Sequence, residues 1–100
     1  MVKHVILWQL DDRLSDQEKE DLKTEIKQGL EGLLGKIPGL VDIHVNKDGL
    51  SSSNADLMLD STFEDEAALQ GYAKHPEHVK VADSKVRPYT KNRVCLDYEV

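Results

Sequence analysis

Four histidines, three tyrosines and a single cysteine carry most of the acid–base and ligating chemistry open to this chain near neutral pH. Two of the histidines stand close together in YAKHPEHVKVAD, residues 72–83, where His75 and His78 flank Pro76-Glu77 and Tyr72 lies three residues upstream. A third, His4, sits in the N-terminal run VKHVILWQL. Such a set is open to three readings: a metal site, an acid–base pair, or the punctuation between two helices.

The metal reading is the weakest on spacing. Two ligands on one helix face need to be three or four residues apart within the helix. Proline is favoured at the first helical position, so Pro76 puts His75 at the N-cap, outside the helical turn, and His78 at the third position, where the two diverge. No cysteine or tight carboxylate set accompanies them, so neither a metal nor a cofactor is expected. The punctuation reading fits His75-Pro76-Glu77 directly, with an acid beside the positive end of the helix dipole. His78 then sits one step from a Val79, Ala82, Val86 face, as a partly buried core histidine would.

What favours a site is His4. It shares a strand face with Ile6 and Trp8, and Leu57 and Leu59 are expected on the same side of the sheet. If that side faces the helices, His4 looks into the layer that Tyr72 also enters. Apolar walls of Ile6, Trp8, Leu22, Ile26, Leu57 and Leu59 around Tyr72, His78 and His4 would make a pocket for a small hydrophobic molecule. There a histidine can move protons while a tyrosine hydroxyl polarises a carbonyl.

Those residues need elements to hold them. VKHVILWQL reads as a strand, with Val2, His4, Ile6, Trp8 and Leu10 on one face and Lys3, Val5, Leu7 and Gln9 on the other. LSDQEKEDLKTEIKQGLEGLLGKIPG switches to helical period, with Leu22, Ile26, Leu30, Leu33 and Leu34 forming one stripe. Ser15 and Glu18 have capping-box spacing, and Gly35 with Pro38 is expected to end the helix. Gly29 and Gly32 inside it point to a close approach to the sheet, or to a fraying end. Residues 39–47 alternate as a strand with Val41, Ile43 and Val45 on one face, and 55–62 as another with Met58 and Asp60 opposite Leu57 and Leu59. Residues 64–74 form a helix carrying Leu69, Tyr72 and Ala73. A short helix after Pro76 should run to about Lys85, because Pro88 disfavours helical geometry at Arg87. Residues 92–98 form the last strand.

The order β-α-β-β-α-β predicts one α+β domain over 1–100, ferredoxin-like, with a four-stranded antiparallel sheet and its helices on one face. The other face would carry Val5, Leu7 and Met58, apolar enough to call for a partner, and a homodimer through apposed sheet faces is the simplest closure. A net charge of −6 with dispersed basic residues argues against nucleic acid. No segment approaches membrane-spanning length, and one cysteine excludes an internal disulfide, so a cytoplasmic location is expected.

VKHVILWQL, GKIPGL, YAKHPEHVKVAD and the closing CLDYE together resemble the stress-responsive α/β-barrel (Dabb) domain, over nearly the whole chain from Val2 to Glu99. The resemblance implies a ferredoxin-like protomer whose sheet packs on its twin to close a dimeric α/β barrel. It implies a role not yet biochemically defined for many members, and for one plant member a cofactor-independent polyketide cyclase or lyase-type activity. In that cyclase a tyrosine and a histidine serve as the proposed acid–base pair, matching Tyr72 and His78, and a pocket histidine matches His4. Leu57 stands here where the cyclase has a further histidine, and Leu22 and Lys23 replace aromatic side chains of its pocket.

Overall fold

β-Branched and aromatic side chains fill Val2–Leu10, and in the computed structural model, which describes residues 1–100, this run forms β1. It is followed by α1 (Asp16–Glu31), β2 (Leu40–Asn46), β3 (Leu57–Phe63), α2 (Glu66–Lys74), α3 (Pro76–Val81) and β4 (Thr90–Glu99). The strands make one antiparallel sheet in the order β2-β3-β1-β4, the expected ferredoxin-like layout with helices on one face. No helix is long and apolar enough to cross a membrane.

β1 lies inside the sheet, and its two-residue period decides which side chains enter the core. Val2, His4, Ile6, Trp8 and Leu10 are all buried against the helices. In register with them, Ser61 and Asp97 lie opposite His4, Leu59 and Cys95 opposite Ile6, and Leu57 and Arg93 opposite Trp8. The other sheet face is bare. Lys3, Val5 and Leu7 share it with Met58, Val94, Leu96 and Tyr98, and Val94 and Leu96 are 62% and 65% exposed.

The helices begin where their caps say. Ser15 Oγ accepts from the Glu18 amide at 3.1 Å while the Glu18 carboxylate accepts from the Ser15 amide at 2.9 Å, closing the capping box. Leu22, Ile26 and Leu30 then bury the apolar stripe of α1. At its end Glu31 accepts from the Val45 amide at 2.9 Å and from Lys27 Nζ at 2.7 Å, and Lys27 reaches the Val45 carbonyl at 2.8 Å. Burial tends to raise the Glu31 carboxyl pKa, but these donors outweigh it and hold the group below its usual range. The pair occupies the free backbone edge of β2.

Several expectations need correcting. α1 stops at Glu31 with Gly32 as its C-cap, earlier than Gly35 and Pro38, so Leu34 leaves the stripe and is exposed. Gly29 in its last turn and Gly32 at its C-cap weaken helix continuation there. Gly29 does mark a close approach, but to a helix and not the sheet: a Cβ there would sit 3.0 Å from Val81 Cγ1 of α3. In β2 a register shift between Leu40 and Asp42 puts Leu40 into the core and turns Val41 outward, breaking the expected Val41, Ile43, Val45 row. α3 ends at Val81 and continues as a wider π turn over Ala82–Val86 and a 3-10 turn over Arg87–Tyr89. Arg87 keeps helical angles, φ −57° and ψ −40°. The clash with a following proline is a penalty and not a prohibition, and an ion pair from Arg87 to Asp83 holds this turn.

Gly39 has φ +81°, and a Cβ there would lie 2.4 Å from Ala68 Cβ of α2, whereas Gly35, φ +89°, faces open space. Gly39→Ala combines left-handed strain with overpacking and should destabilise by about 2–4 kcal/mol. Gly35→Ala should cost only the strain, about 1–2 kcal/mol. Urea unfolding of the two variants checks the order; equal losses would mean that the contact with α2 contributes nothing.

Candidate functional site

α2 and α3 stand away from β4, and the gap between them and the β1–β4 half of the sheet is a cavity of about 790 Å³. Its floor is the helix-facing row of β1 and β4, and its opposite wall carries Tyr72, His78, Ala82 and Val86. The size is that of a small-molecule site.

Local chain chemistry aims the two polar side chains of the wall. Asp65 caps α2, its carboxylate accepting from the Ala68 amide at 2.8 Å, and this fixes the helix that carries Tyr72. His75 ends α2 and starts α3: its Nδ1 accepts from the Glu77 amide at 3.2 Å, and Pro76 follows at the first helical position. The break lets α3 turn His78 back over Tyr72, with ring centroids 4.1 Å apart and an interplanar angle of 34°. The Tyr72 ring also packs on Phe63, at 5.0 Å, and edge-on to His4, at 6.0 Å.

Tyr72 is only 2% exposed, yet its hydroxyl has no hydrogen-bond partner, and neither has the buried Nδ1 of His78. Burial pushes the Tyr72 phenol well above its ordinary pKa, opposed by the nearby Arg93 guanidinium. Tyr72 therefore stays protonated at neutral pH, as a hydrogen-bond donor. Burial likewise pushes the His78 imidazole down; the Ala73 backbone and Asp83 pull it up, while Arg87 and His4 add to the fall. A neutral imidazole beside an un-ionised phenol is an arrangement able to polarise a carbonyl and to take a proton from the carbon next to it.

His4 is the third histidine of the set, and its surroundings differ. Its Nδ1 is hydrogen-bonded to the Asp97 carboxylate across the β1–β4 ladder, and Cys95 Sγ lies 3.6 Å from the same nitrogen. Burial and the Asp97 carboxylate push the Cys95 thiol up, so it is not an activated nucleophile.

The structure thus brings Tyr72, His78 and His4 to one cavity, lined also by Ile6, Trp8 and Leu59. Leu22, Ile26 and Leu57 do not reach it; they are buried in the core around α1. Arg93, Cys95 and Asp97 line the cavity and were not among the residues singled out from sequence. The signal was present: CLDY alternates, so Cys95 and Asp97 share a face, but only the register with β1 places that face beside His4.

The model of the stress-responsive A/B barrel domain matches residues 2–100. Among solved structures, a dimeric ferredoxin-like protein of unknown function from Bacteroides fragilis is 30% identical, with a TM-score of 0.92, over 99% of this chain and 95% of that one. An Arabidopsis thaliana protein is 26% identical with a TM-score of 0.75, over 100% of this chain and 95% of its own. A hydroxynitrile lyase from Passiflora edulis shares the fold at 17% identity and a TM-score of 0.72, over 97% of this chain and 90% of that one. No curated protein sequence matches.

A histidine whose folded pKa is depressed binds fewer protons than it does unfolded, so His78 withdraws stability as pH falls through about 6.5. NMR titration should place the His78 midpoint below that value, and His78→Gln should flatten the loss of stability between about pH 7.5 and 5.5. A midpoint at or above the ordinary value would mean that the imidazole is not desolvated.

Proposed function

The chain belongs to the stress-responsive A/B barrel domain family, and from that premise we propose that it is a homodimer, closed through its bare sheet face, that binds a small and largely apolar organic molecule in the cavity of each protomer. The observation that carries the binding reading is the pair of orphaned polar atoms, Tyr72 Oη and His78 Nδ1, on residues that line a cavity whose walls are part apolar and part charged, with Arg87, Arg93 and Asp97 among them. A buried polar group without a partner costs about 1–3 kcal/mol, and a ligand that supplies the partner recovers it. The complementary ligand has an apolar body and a carbonyl or hydroxyl oxygen that reaches the edge of the stacked Tyr72–His78 pair. Dimer closure is supported by the exposed Leu7, Val94 and Leu96 and by the dimeric Bacteroides fragilis relative.

A second reading is favoured by one specific feature. Tyr72 and His78 are in ring contact and both are driven to their neutral forms, as an acid–base pair working on a carbonyl compound without a cofactor requires. Tyr72 would donate to the carbonyl oxygen and His78 would take the proton from the adjacent carbon, a cyclase or lyase type of chemistry. A third reading has no ligand: the HPEH stretch is then only a helix junction, and dimerisation is the function.

The three separate in one set of measurements. Simple ketones and phenols, alkyl-substituted and each in turn, are titrated into the protein while the amide and histidine signals are followed by NMR. On the binding reading, Tyr72→Phe and His78→Ala each weaken binding about five- to tenfold, the value of one hydrogen bond, at unchanged fold. If turnover is present, the catalytic reading expects kcat to fall at least about a hundredfold with little change in Kd. No signal shift with any compound sinks both and leaves the assembly reading. Separately, sedimentation should give twice the 11.3 kDa chain mass, and Leu96→Glu should give a folded monomer. A monomeric wild type would refute closure through this face.

A further inference from the structure

Apart from the Tyr72–His78 pair, the floor of the cavity holds a second convergence of donors. His4 on β1 and Asp97 on β4 are directly opposite in the ladder, and Cys95 is two residues back on the same face. His4 Nδ1, Cys95 Sγ and one Asp97 carboxylate oxygen all lie within 4.8 Å of one another. Sγ is 3.6 Å from Nδ1 and 3.4 Å from the carboxylate oxygen, and the third edge is the His4–Asp97 hydrogen bond.

We infer that His4, Cys95 and Asp97 form a binding site for a thiophilic divalent transition-metal ion, best matched by zinc, with its fourth coordination position open to the cavity. Bond lengths of about 2.0–2.3 Å to nitrogen, oxygen and sulfur put the edges of a zinc tetrahedron at about 3.3–3.6 Å. Both edges to sulfur already have that length, and the third needs only the hydrogen bond to open by a rotation of the half-exposed Asp97 side chain. Zinc entry takes the place of the proton on His4 Nδ1, which moves to Nε2 of the same ring, and releases the thiol proton, leaving neutral imidazole, thiolate and carboxylate as ligands. One nitrogen, one sulfur and one oxygen suit zinc or its neighbours and not magnesium or calcium, which take oxygen sets.

A nucleophilic Cys-His-Asp relay is the rival use of the same residues, and the geometry disfavours it. In a relay the imidazole bridges, with the nucleophile on one ring nitrogen and the carboxylate on the other. Here the thiol and the carboxylate converge on the same nitrogen, as ligands around one point do. An independent observation lies on the cavity side: Tyr72, 2% exposed, lines the same space with its hydroxyl unpartnered, and its ring stands edge-on to His4 with centroids 6.0 Å apart. The inference does not depend on acid–base chemistry by Tyr72 and His78.

The full-length protein, stripped of metal, is titrated with cobalt(II) and then zinc(II). Expected are one ion per chain, the intense visible bands of tetrahedral cobalt, a near-ultraviolet thiolate-to-cobalt band, and displacement of cobalt by zinc. Cys95→Ser should abolish the near-ultraviolet band and weaken zinc at least about a hundredfold, beyond the loss from an outer partner. Asp97→Asn should weaken it comparably, and His44→Gln, on the far sheet face, should leave it unchanged. His4→Gln alters a buried position, so Cys95→Ser and Asp97→Asn, both at exposed positions, decide the matter if it misfolds. No uptake, an octahedral spectrum, or an affinity unchanged in Cys95→Ser overturns the site. Because the readout is metal uptake without any organic compound, its failure is distinct from failure of the ligand-binding reading.

Discussion

The side-chain alternation of β1 is the constraint on which the rest of this structure depends. With β3 on one side and β4 on the other, the strand cannot slip by one residue without turning its whole apolar row outward. Holding Ile6 and Trp8 in the core therefore also holds His4 there. An imidazole so placed needs a partner, and the ladder supplies Asp97 from the opposite position on β4. Packing thus creates a polar position in the core, and the polar position ties the edge strand to the centre of the sheet.

The same sheet is covered unevenly. α1 lies over the β2 side, where Ile26, Leu57 and Val45 are almost fully buried. β4, in contrast, is exposed from Lys91 to Glu99, including the positions that face the helix layer. A cavity follows wherever helices cover one half of a sheet and stand off the other. Its chemistry is then set by whichever residues of β1 and β4 alternate inward, together with the helix junction that overhangs them. The π turn after α3 belongs to that overhang, since Ala82 and Val86 from it line the cavity.

What was legible in the sequence was local. The capping box at Ser15, the His75 N-cap before Pro76, the faces of β1 and the order of elements all follow from interactions within a few residues, and the structure has each of them. What was not legible was set over long distances or by competing local terms. The bulge that turns Val41 outward depends on pairing with β3, and the early stop of α1 at Gly32 comes from glycine outweighing an apolar stripe that continues to Leu34. The cluster of His4, Cys95 and Asp97 joins residues more than ninety apart in the chain, through a register that no spacing rule contains. For the candidate site the same division holds: Tyr72 and His78 are six residues apart and belong to one motif, whereas the floor beneath them had to be seen.

The helix-junction reading of HPEH explains His75 completely and His78 not at all. His75 meets a backbone requirement, since its ring accepts an amide that the start of α3 would otherwise leave free. His78 meets no such requirement: its Nδ1 is buried without a well-formed hydrogen bond, and it stacks on a tyrosine whose hydroxyl has no partner. Packing alone would be served better at both positions by apolar side chains of similar shape, such as phenylalanine at 72, because replacing an unpaired polar group with an apolar one removes a desolvation cost. Two such costs side by side, at residues that line one cavity, are hard to attribute to folding. They are accounted for if the stability given up is recovered when something else supplies the two missing hydrogen-bond partners.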